Sequence, residues 1–371
     1  MLMNRSRPDA CPGALQLHDA ADGPLARIRL PGGYLEPAQL ETLAEAAVEL
    51  GNGELELTVR GNIQLRAISD PDELARRVAE AGLLPSLTHE RARNIVASPL
   101  TGRVGGTLDV REHVRLLDEL LQADADLADL PGRVLFSIDD GSDNVSGLGA
   151  DVGLHAVSDH EFALLLAGAD SGARIPVADG VAHVIAAART FLDLRSDEWR
   201  LAEVDGGADG VLAALSVQPL ADALEFAAAE PPIGWLPQDD GLVSLGAGLR
   251  LGILPARTAE FIAAVERPII VTPWRTLLIC DLDESIAETV VRVLAPMGLI
   301  FDDQSPWLRV SACAGQPGCA KALADVRADL TDAVESGIPL VGRQHWSGCE
   351  RRCGRPRGDV TDVIAPDYQG S

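Results

Sequence analysis

The chain has 371 residues, 47% of them hydrophobic, and its 31 basic against 56 acidic residues give a formal net charge of −25. The length predicts two or more domains. The excess of negative charge argues against nucleic acid or an anionic membrane surface as the main partner. The N-terminus has no apolar stretch behind its arginines, and the longest apolar runs are too short to span a bilayer. We therefore expect a cytoplasmic protein that does not contact a membrane.

The first elements alternate between strands and a helix. A strand at 24–30 is followed by a PGG turn and by a helix at 36–50, which Glu and Pro begin. The stretch ELELTVRGNIQLRAI at 54–68 alternates as one long strand with a glycine in its middle.

The same order returns late in the chain. A strand and turn at 248–255 precede a helix at 256–266 and a second long strand at 268–282. Setting Thr58 against Thr272 aligns the two long strands without a gap, at a constant offset of 214. The sequence therefore predicts an internal duplication.

One face differs between the two copies. Since side chains two residues apart share a face of a strand, the first copy presents a polar, cationic row where the second is largely apolar. The first copy carries Arg60, Asn62, Gln64 and Arg66, and the second carries Trp274, Thr276, Leu278 and Cys280. We interpret the polar row as a binding face, the alternative being the solvated face of an edge strand.

More basic and polar residues follow the first copy. The segment HERARNIVASPLTG at 89–102 contains Arg91, Arg93 and Asn94 and leads into a loop with Pro and Gly. A helix is expected at 110–124, a short strand and turn at 130–141, and an Ala-rich helix at 181–194. Connections rich in Gly, Asp and Pro within 176–240 predict a domain junction.

Four of the six cysteines lie in two pairs near the C-terminus. Five residues separate Cys313 from Cys319, and three separate Cys349 from Cys353. Zinc sites usually pair cysteines two to four residues apart, so the first pair is wide for zinc. Four thiolates converging on one compact object suit a [4Fe-4S] cluster, and the segment between the pairs has a helical pattern that would return the chain to it.

These motifs together resemble the siroheme nitrite and sulfite reductase superfamily over nearly the whole chain. The resemblance rests on TVRGNIQLR, RNIVASPLTG, the C-x5-C pair and HWSGCERRC. It implies an α+β fold that is duplicated, with two ferredoxin-like half-domains and two α/β domains, the C-terminal one holding a [4Fe-4S] cluster. The segments would be a first half-domain at 1–75, a first α/β domain at 76–205, a linker and second half-domain at 206–290, and a cluster-binding domain at 291–371.

Residue by residue, the resemblance assigns the cluster ligands and two anion-binding groups. The ligands are Cys313, Cys319, Cys349 and Cys353, of which Cys353 matches the sulfur that bridges to siroheme iron in the reductases. Arg60 and Arg93 match two basic residues that hold the substrate anion.

The chain departs from the reductases at one pair of positions. Where the reductases have two lysines, this sequence has Arg133 and Leu135. Reduction of a small oxyanion depends on converging positive charge, so the loss of one cation disfavours nitrite or sulfite as substrate.

The N-terminal segment, the short length and TPWRTLL resemble the precorrin-3B synthase branch of the superfamily. That branch implies an oxygen-dependent monooxygenase of cobalamin biosynthesis, which converts the tetrapyrrole precorrin-3A with O2 and NAD(P)H-derived electrons supplied by a reductase or ferredoxin. Catalytic roles would fall to Arg60, Arg93 and Arg133. The residues expected to bind the substrate's carboxylates are Arg60, Asn62, Gln64, Arg66, Arg91, Arg93, Asn94 and Arg133.

Three points are left open by the sequence. An additional mononuclear iron has no ligands that we can assign. The first alternative function is a siroheme-dependent nitrite or sulfite reductase, in which the tetrapyrrole would be a permanent heme-type group. The second alternative is a non-catalytic iron–sulfur electron carrier or sensor.

Overall fold

The computed structural model describes residues 9–365 of the chain. Its strands, in chain order, are β1 His18–Ala20, β2 Gly23–Ile28, β3 Tyr34–Leu35, β4 Glu54–Leu57, β5 Ile63–Leu65, β6 Ile95–Ala97, β7 Phe136–Asp139, β8 Val152–Ala156, β9 Glu161–Leu166, β10 Ala169–Pro176, β11 Gly234–Pro237, β12 Val243–Ala247, β13 Ile253–Pro255, β14 Ile269–Val271, β15 Leu277–Leu282, β16 Val310–Ala312, β17 Gln344–Ser347 and β18 Thr361–Ile364. Its α-helices are α1 Pro37–Leu50, α2 Pro71–Glu80, α3 Arg111–Ala123, α4 Gly180–Leu194, α5 Gly207–Leu215, α6 Ala256–Ala263, α7 Glu284–Leu294 and α8 Val326–Glu335.

The described residues form two compact units, each built from separate stretches of chain. The middle unit contains residues 9–13, 29–33 and 84–230, and the cysteine unit contains residues 14–28, 34–83 and 231–365. In residues 9–365, no helix is long and apolar enough to cross a bilayer. The division into four sequence segments stays a prediction.

The cysteine unit holds two five-stranded sheets with the same strand order. One sheet runs β1-β2-β5-β4-β13 and the other β11-β12-β15-β14-β3. Each therefore receives its last strand from the other half of the sequence: β13 pairs with β4, and β3 with β14, both antiparallel. Helices α1 and α6, which follow β3 and β13, pack against each other. The two halves thus have equivalent topology, with one edge strand exchanged.

The prediction of one long strand at 54–68 is wrong, because the chain turns back at 58–62. Strands β4 and β5 pair antiparallel, with Glu56 opposite Gln64. The N–H of Thr58 donates to the carbonyl of Asn62 at 2.9 Å. Gly61, predicted as a glycine within a strand, supplies the positive φ of 64° that this turn requires.

The second long strand, predicted at 268–282, is a hairpin too. The N–H of Thr272 donates to Thr276 at 2.9 Å, just as Thr58 donates to Asn62. Both turns therefore keep the offset of 214, and the alternation that predicted one strand belongs to two strands joined by a tight turn.

The middle unit contains one mixed sheet in the order β10-β9-β8-β7-β6. Strands β6, β7 and β8 are parallel, whereas β8, β9 and β10 are antiparallel neighbours. Every residue of β7 and β8 is buried, as expected for strands that are covered on both faces. Helix α4 packs against α3, α5 and β8.

A small parallel sheet, β16-β17-β18, completes the cysteine unit. It packs on an apolar cluster that includes Trp307, Val326 and Leu330. Helix α8 supplies part of this cluster and begins at Val326, later than the helical pattern at 320–337 indicated, with the Asp325 side chain accepting from the N–H of Ala328.

Candidate functional site: the cysteine segments and the basic residues

The two cysteine pairs begin where two neighbouring parallel strands end. Cys313 directly follows β16, and Cys349 follows β17 after one glycine. Because the carboxyl ends of parallel strands meet at one edge of a sheet, both pairs start at the same place. The N–H of Gly348 donates to the Cys313 sulfur at 3.2 Å, which joins the first pair to the segment that carries the second.

All four thiols are free, and the other three act on the ionisation of Cys353. Partial burial raises the pKa of Cys353 first, and the negative charges of Cys313, Cys349 and Cys319 raise it further. Cys353 is the most exposed of the four. Both pairs therefore contribute to the electrostatic environment of Cys353.

The donor set, four free thiols on two segments of chain, fits a [4Fe-4S] cluster. Across residues 9–365, no three or more His, Cys, Asp or Glu side chains are grouped closely enough to hold one metal ion. A cubane cluster is larger than a single metal ion, and each of its four irons binds one cysteine thiolate. Backbone N–H groups commonly donate hydrogen bonds to its sulfurs. Four free thiols, with an N–H···S bond from Gly348 to Cys313, suit that chemistry. The described residues offer no comparable set for the mononuclear iron.

The predicted polar row is divided between the hairpin turn and the strand that follows it. Arg60 lies half-buried in the turn, and its N–H donates to the Thr58 hydroxyl at 3.4 Å. Asn62 is buried at the end of the turn. Gln64 lies on β5 and Arg66 follows that strand directly.

Gln64 is the centre of a polar ladder that crosses three strands. It is opposite Arg27 of β2 and Glu56 of β4. Its amide accepts from Arg27 at 2.8 Å and donates to the Glu56 carboxylate at 2.7 Å. Gln64 and Glu56 are both buried, so this row is neither a solvated face nor an open one. It is an internal network of the kind that needs all its partners present.

Arg66 extends this network to the first cysteine pair. Its guanidinium makes two 2.7 Å hydrogen bonds to Asp22 and one of 2.9 Å to the carbonyl of Gly318, which precedes Cys319. Burial acts to lower the pKa of Arg66, but the hydrogen bond to Asp22 and the charges of Glu56 and Asp22 outweigh it, so the pKa is raised. Arg66 therefore stays charged beside the cysteine segment.

Two further arginines, which the sequence did not predict, contact the segments that carry the cysteine pairs. These cysteine segments are residues 312–319 and 348–354. Arg327, on α8, lies 2.7 Å from the Glu56 carboxylate and donates to the carbonyl of Cys313 at 3.3 Å. Arg275, in the second hairpin turn, donates to the carbonyl of Gly354 at 2.6 Å. Burial lowers its pKa to about 10, which leaves it charged at neutral pH.

A signal for these residues was present in the duplication. At the offset of 214, Glu56 stands opposite Ile270, and Gly61 stands opposite Arg275. At both positions a charged residue in one copy stands opposite an uncharged residue in the other. These two differences could have identified Glu56 and Arg275 in the same way that the four differences identified the polar row.

His345 lies at the base of the cysteine segments on β17. Its ring is buried, and its Nδ1 is 2.8 Å from the Ser311 hydroxyl on the neighbouring strand. Burial, together with the positive charge of Arg275, lowers the pKa of His345 to about 4. The ring is therefore neutral at physiological pH, and its hydrogen bond ties β17 to β16.

The remaining predicted site residues lie in the middle unit. Arg93 is buried and bonds the Asp118 carboxylate through Nε at 2.6 Å and Nη2 at 2.8 Å, which fixes the 89–94 segment to α3. The Asn94 side chain donates to the carbonyls of Arg91 and Gly132 at 3.0 and 2.9 Å. Both side chains thus have structural partners.

Arg91 and Arg133 lie near the N-terminal segment. Arg91 donates to the carbonyl of Asp9 at 3.1 Å, and Arg133 lies 3.5 Å from the Asp9 carboxylate. The Arg133 side chain is 55% exposed and stacks over Trp199, 4.6 Å from its ring centre. Leu135, two residues on, is buried, and its N–H donates to Asp151. The second cation of the reductases is therefore replaced here by a core residue.

Comparison with known proteins supports the resemblance. Residues 18–80 match the nitrite/sulfite reductase ferredoxin-like half domain. A precorrin-3B synthase of Sinorhizobium sp. is 27% identical over 98% of this chain and 82% of its own length. A ferredoxin–nitrite reductase of Synechococcus elongatus is 31% identical, but over 32% of this chain and 25% of its own length. The structure of the Mycobacterium tuberculosis NirA protein superposes with a TM-score of 0.73 at 22% identity, covering 90% of this chain and 69% of NirA.

The chain is thus a homologue of precorrin-3B synthase over 98% of its residues, whereas its similarity to nitrite reductases is partial. The expected mixed α/β fold with a ferredoxin-like half domain is confirmed. The likeness to NirA shows the fold alone.

Proposed function

We propose that this chain, a homologue of precorrin-3B synthase, is an oxygen-dependent monooxygenase of cobalamin biosynthesis. It would convert precorrin-3A to precorrin-3B by hydroxylating C20 and forming a γ-lactone from the ring A acetate. The observation that carries the proposal is similarity to precorrin-3B synthase over 98% of the chain, against about a third for the nitrite reductase. The buried Leu135 in place of a reductase lysine supports the same choice.

The four C-terminal cysteines are the proposed ligands of a [4Fe-4S] cluster. A cluster bound there would supply single electrons for oxygen chemistry that side chains cannot perform unaided. The electrons would derive from NAD(P)H through a separate reductase or ferredoxin. Free thiols kept for a cluster suit the reducing cytoplasm, where we place the protein.

Arg60, Arg91 and Arg133 are the residues proposed to bind the substrate's carboxylates. Arg60 and Arg91 are half-buried and Arg133 is exposed, so all three keep surface for a ligand. Precorrin-3A is a polycarboxylate, and in a chain of net charge −25 such an anion requires local positive groups.

Three of the other predicted substrate-binding residues are buried within the fold. Gln64 and Arg66 belong to the network at the cysteine segments, and Arg93 pairs with Asp118. We infer that they act by holding the scaffold. A second, mononuclear iron stays a prediction.

The test starts with anaerobically purified protein. Iron and acid-labile sulfide near four per chain, with a broad iron–sulfur absorption band and no porphyrinoid bands, are expected for a cubane cluster without bound tetrapyrrole. Turnover with precorrin-3A, an electron donor and 18O2 should then add one labelled oxygen atom to the product, as measured by mass spectrometry.

Two results would overturn the proposal. Sharp porphyrinoid bands that extract as siroheme would indicate a reductase, and nitrite and sulfite should then be assayed. A loaded cluster with no labelled product under any electron donor would favour the electron carrier.

A further inference from the structure

The second hairpin turn contains an arginine where the first contains a glycine. Gly61 and Arg275 are equivalent at the offset of 214, and their φ angles are 64° and 60°. Both N–H groups donate to the threonine three residues earlier, at 3.2 and 3.1 Å. A side chain is disfavoured at such a φ angle, and glycine serves the first turn well. The turn itself therefore does not need the arginine side chain.

The Arg275 side chain reaches both cysteine segments. Its guanidinium donates to the carbonyl of Gly354 at 2.6 Å and, at the longer distance of 3.5 Å, to the carbonyl of Ala312. Gly354 directly follows Cys353, and Ala312 directly precedes Cys313. One side chain thus joins a backbone oxygen beside the first pair to one beside the second.

Two glycines make room for this side chain. A Cβ atom on Gly354 would lie 2.5 Å from Arg275 Nη2, and one on Gly252 would lie 2.8 Å from Arg275 Cδ. The absence of a side chain at Gly252 and Gly354 leaves this space to the arginine, and both residues also have a positive φ that favours glycine.

Arg66 and Arg327 make the same kind of contact. Arg66 donates to the carbonyl of Gly318, directly before Cys319, and Arg327 donates to the carbonyl of Cys313. Both also face Glu56, at 3.8 and 2.7 Å. Three arginines therefore hold backbone oxygens next to three of the four cysteines, and one buried carboxylate is the counter-ion that two of them share.

We propose that Arg275 is a positioning residue that fixes the two cysteine pairs relative to each other, with Arg66, Arg327 and Glu56 completing the support. The importance of Arg275 for the enzyme rests on the proposed function, whereas its effect on the positions of the thiols does not. The proposal can therefore be tested on protein with and without metal.

The first experiment uses metal-free, reduced full-length protein. Diamide oxidises two neighbouring thiols to a disulfide by accepting their two electrons and two protons, and mass spectrometry identifies the linked cysteines. Wild type should form disulfides between the first pair and the second. Arg275→Gly should lower their yield several-fold, while its circular dichroism spectrum stays that of wild type, because glycine is what the equivalent turn already contains.

The matched control is Glu266→Gly. Glu266 is an exposed residue of the same unit with a φ of 55°. Its replacement relieves the same backbone strain without touching the cysteine segments, so its cross-linking yield should equal that of wild type. Equal yields for wild type and Arg275→Gly, or no disulfide between the pairs in wild type, would overturn the proposal.

Arg275→Lys separates bridging from charge. Lysine keeps the charge but lacks the planar fork that lets one guanidinium bond two carbonyls, so an intermediate yield is expected. If Arg275→Lys restored the full cross-linking yield, the positive charge alone would be sufficient, and the bridge between the two carbonyls would not be required.

The second experiment uses protein with its cluster reconstituted. Arg275→Gly should lose its iron–sulfur absorbance to a chelator about tenfold faster than wild type or Glu266→Gly, as expected when a supporting contact behind metal ligands is removed. A wild type that takes up no cluster would refute the proposed cofactor, and the cross-linking result would still decide whether Arg275 positions the thiols.

Discussion

The Glu56 carboxylate lies 2.7 Å from the Arg327 guanidinium, which in turn donates to the carbonyl of Cys313. Glu56 is on β4 in the first half of the sequence, and Arg327 is on α8 between the two cysteine pairs. A buried carboxylate in the ferredoxin-like sheet thus anchors the segment that carries the thiols. Such a pair stabilises the fold only while both partners are present.

Replacing Glu56 with Gln should destabilise the metal-free protein. Arg327 and Arg66 would lose their shared counter-ion, at a cost of about 3 kcal/mol, the lower end for a broken buried pair, since Arg327 keeps 24% of its side-chain surface exposed. The free energy of unfolding in urea measures the effect. Glu335→Gln is the control: its pair with Arg250 is 54% and 56% exposed, so it should cost less than about 1 kcal/mol. Equal costs would contradict this interpretation of Glu56.

Arg93→Ala should also destabilise the protein, because it leaves Asp118 without its bidentate partner. We expect a loss of about 3 kcal/mol in the free energy of unfolding. Arg115→Ala, on the same helix as Asp118 but with exposed partners, should lose less than about 1 kcal/mol. If Arg93→Ala unfolded like wild type and yet lost turnover, Arg93 would be a direct substrate ligand instead.

Arg60→Ala should raise the KM for precorrin-3A about tenfold or more, since a charged hydrogen bond to a carboxylate contributes about 1.5–3 kcal/mol. Stability and cluster content should not change, because Arg60 lies in a turn whose backbone hydrogen bonds remain. The comparison variant is Arg76→Ala, an exposed arginine of α2 paired with Glu73 and Glu80. An unchanged KM in Arg60→Ala would remove this residue from the proposed site.

Gly354→Ala and Gly342→Ala test the contact with Arg275 from its other side. Both glycines have positive φ, 78° and 68°, so an added Cβ carries a similar backbone cost of about 1–2 kcal/mol. The Cβ on Gly342 meets no atom within 4 Å, whereas that on Gly354 lies 2.5 Å from the Arg275 guanidinium. We expect Gly354→Ala alone to lose its cluster faster to a chelator. Matching rates in the two variants would argue against a role for this contact.

His113 should make stability depend on pH. Burial lowers its pKa below the ordinary 6.5, its Nδ1 is buried without a hydrogen bond, and its ring packs edge-on against Phe162. In the unfolded chain, His113 is therefore protonated as the pH falls through 6.5, whereas in the folded chain its ring stays neutral to lower pH. The free energy of unfolding therefore decreases as the pH falls below 6.5.

The measurement is urea unfolding of wild type and His113→Leu at pH 8 and pH 5.5. The variant should gain stability relative to wild type on acidification, because it has no ring to protonate. Leu116→Ala, on the same helix, changes no ionisable group, and its difference from wild type should be the same at both values. A constant difference for His113→Leu would show that the pKa of His113 is not lowered.

The sequence by itself determined the parts of this protein that depend on local pattern. The threonines at 58 and 272 located the two copies because equivalent turns keep equivalent residues. The helix predicted at 36–50 from its first residues is present at Pro37–Leu50. The spacing of Cys313, Cys319, Cys349 and Cys353 indicated the cofactor class, and β16 and β17 bring the starts of the two pairs to one sheet edge, while the cluster itself stays a prediction. The resemblance that these motifs carry agrees with the full-length similarity to precorrin-3B synthase.

Tertiary structure decided what each polar side chain contacts. Alternation with a period of two is the same for one long strand and for two strands joined by a tight turn, so the hairpin at Gly61 was missed. Gln64 and Arg66 looked like a ligand-binding face, yet their partners are Glu56, Asp22 and Gly318, the last of them 252 residues away from Arg66. Whether a buried charge serves a substrate or the scaffold depends on which distant groups surround it after folding, and sequence spacing carries no information about that.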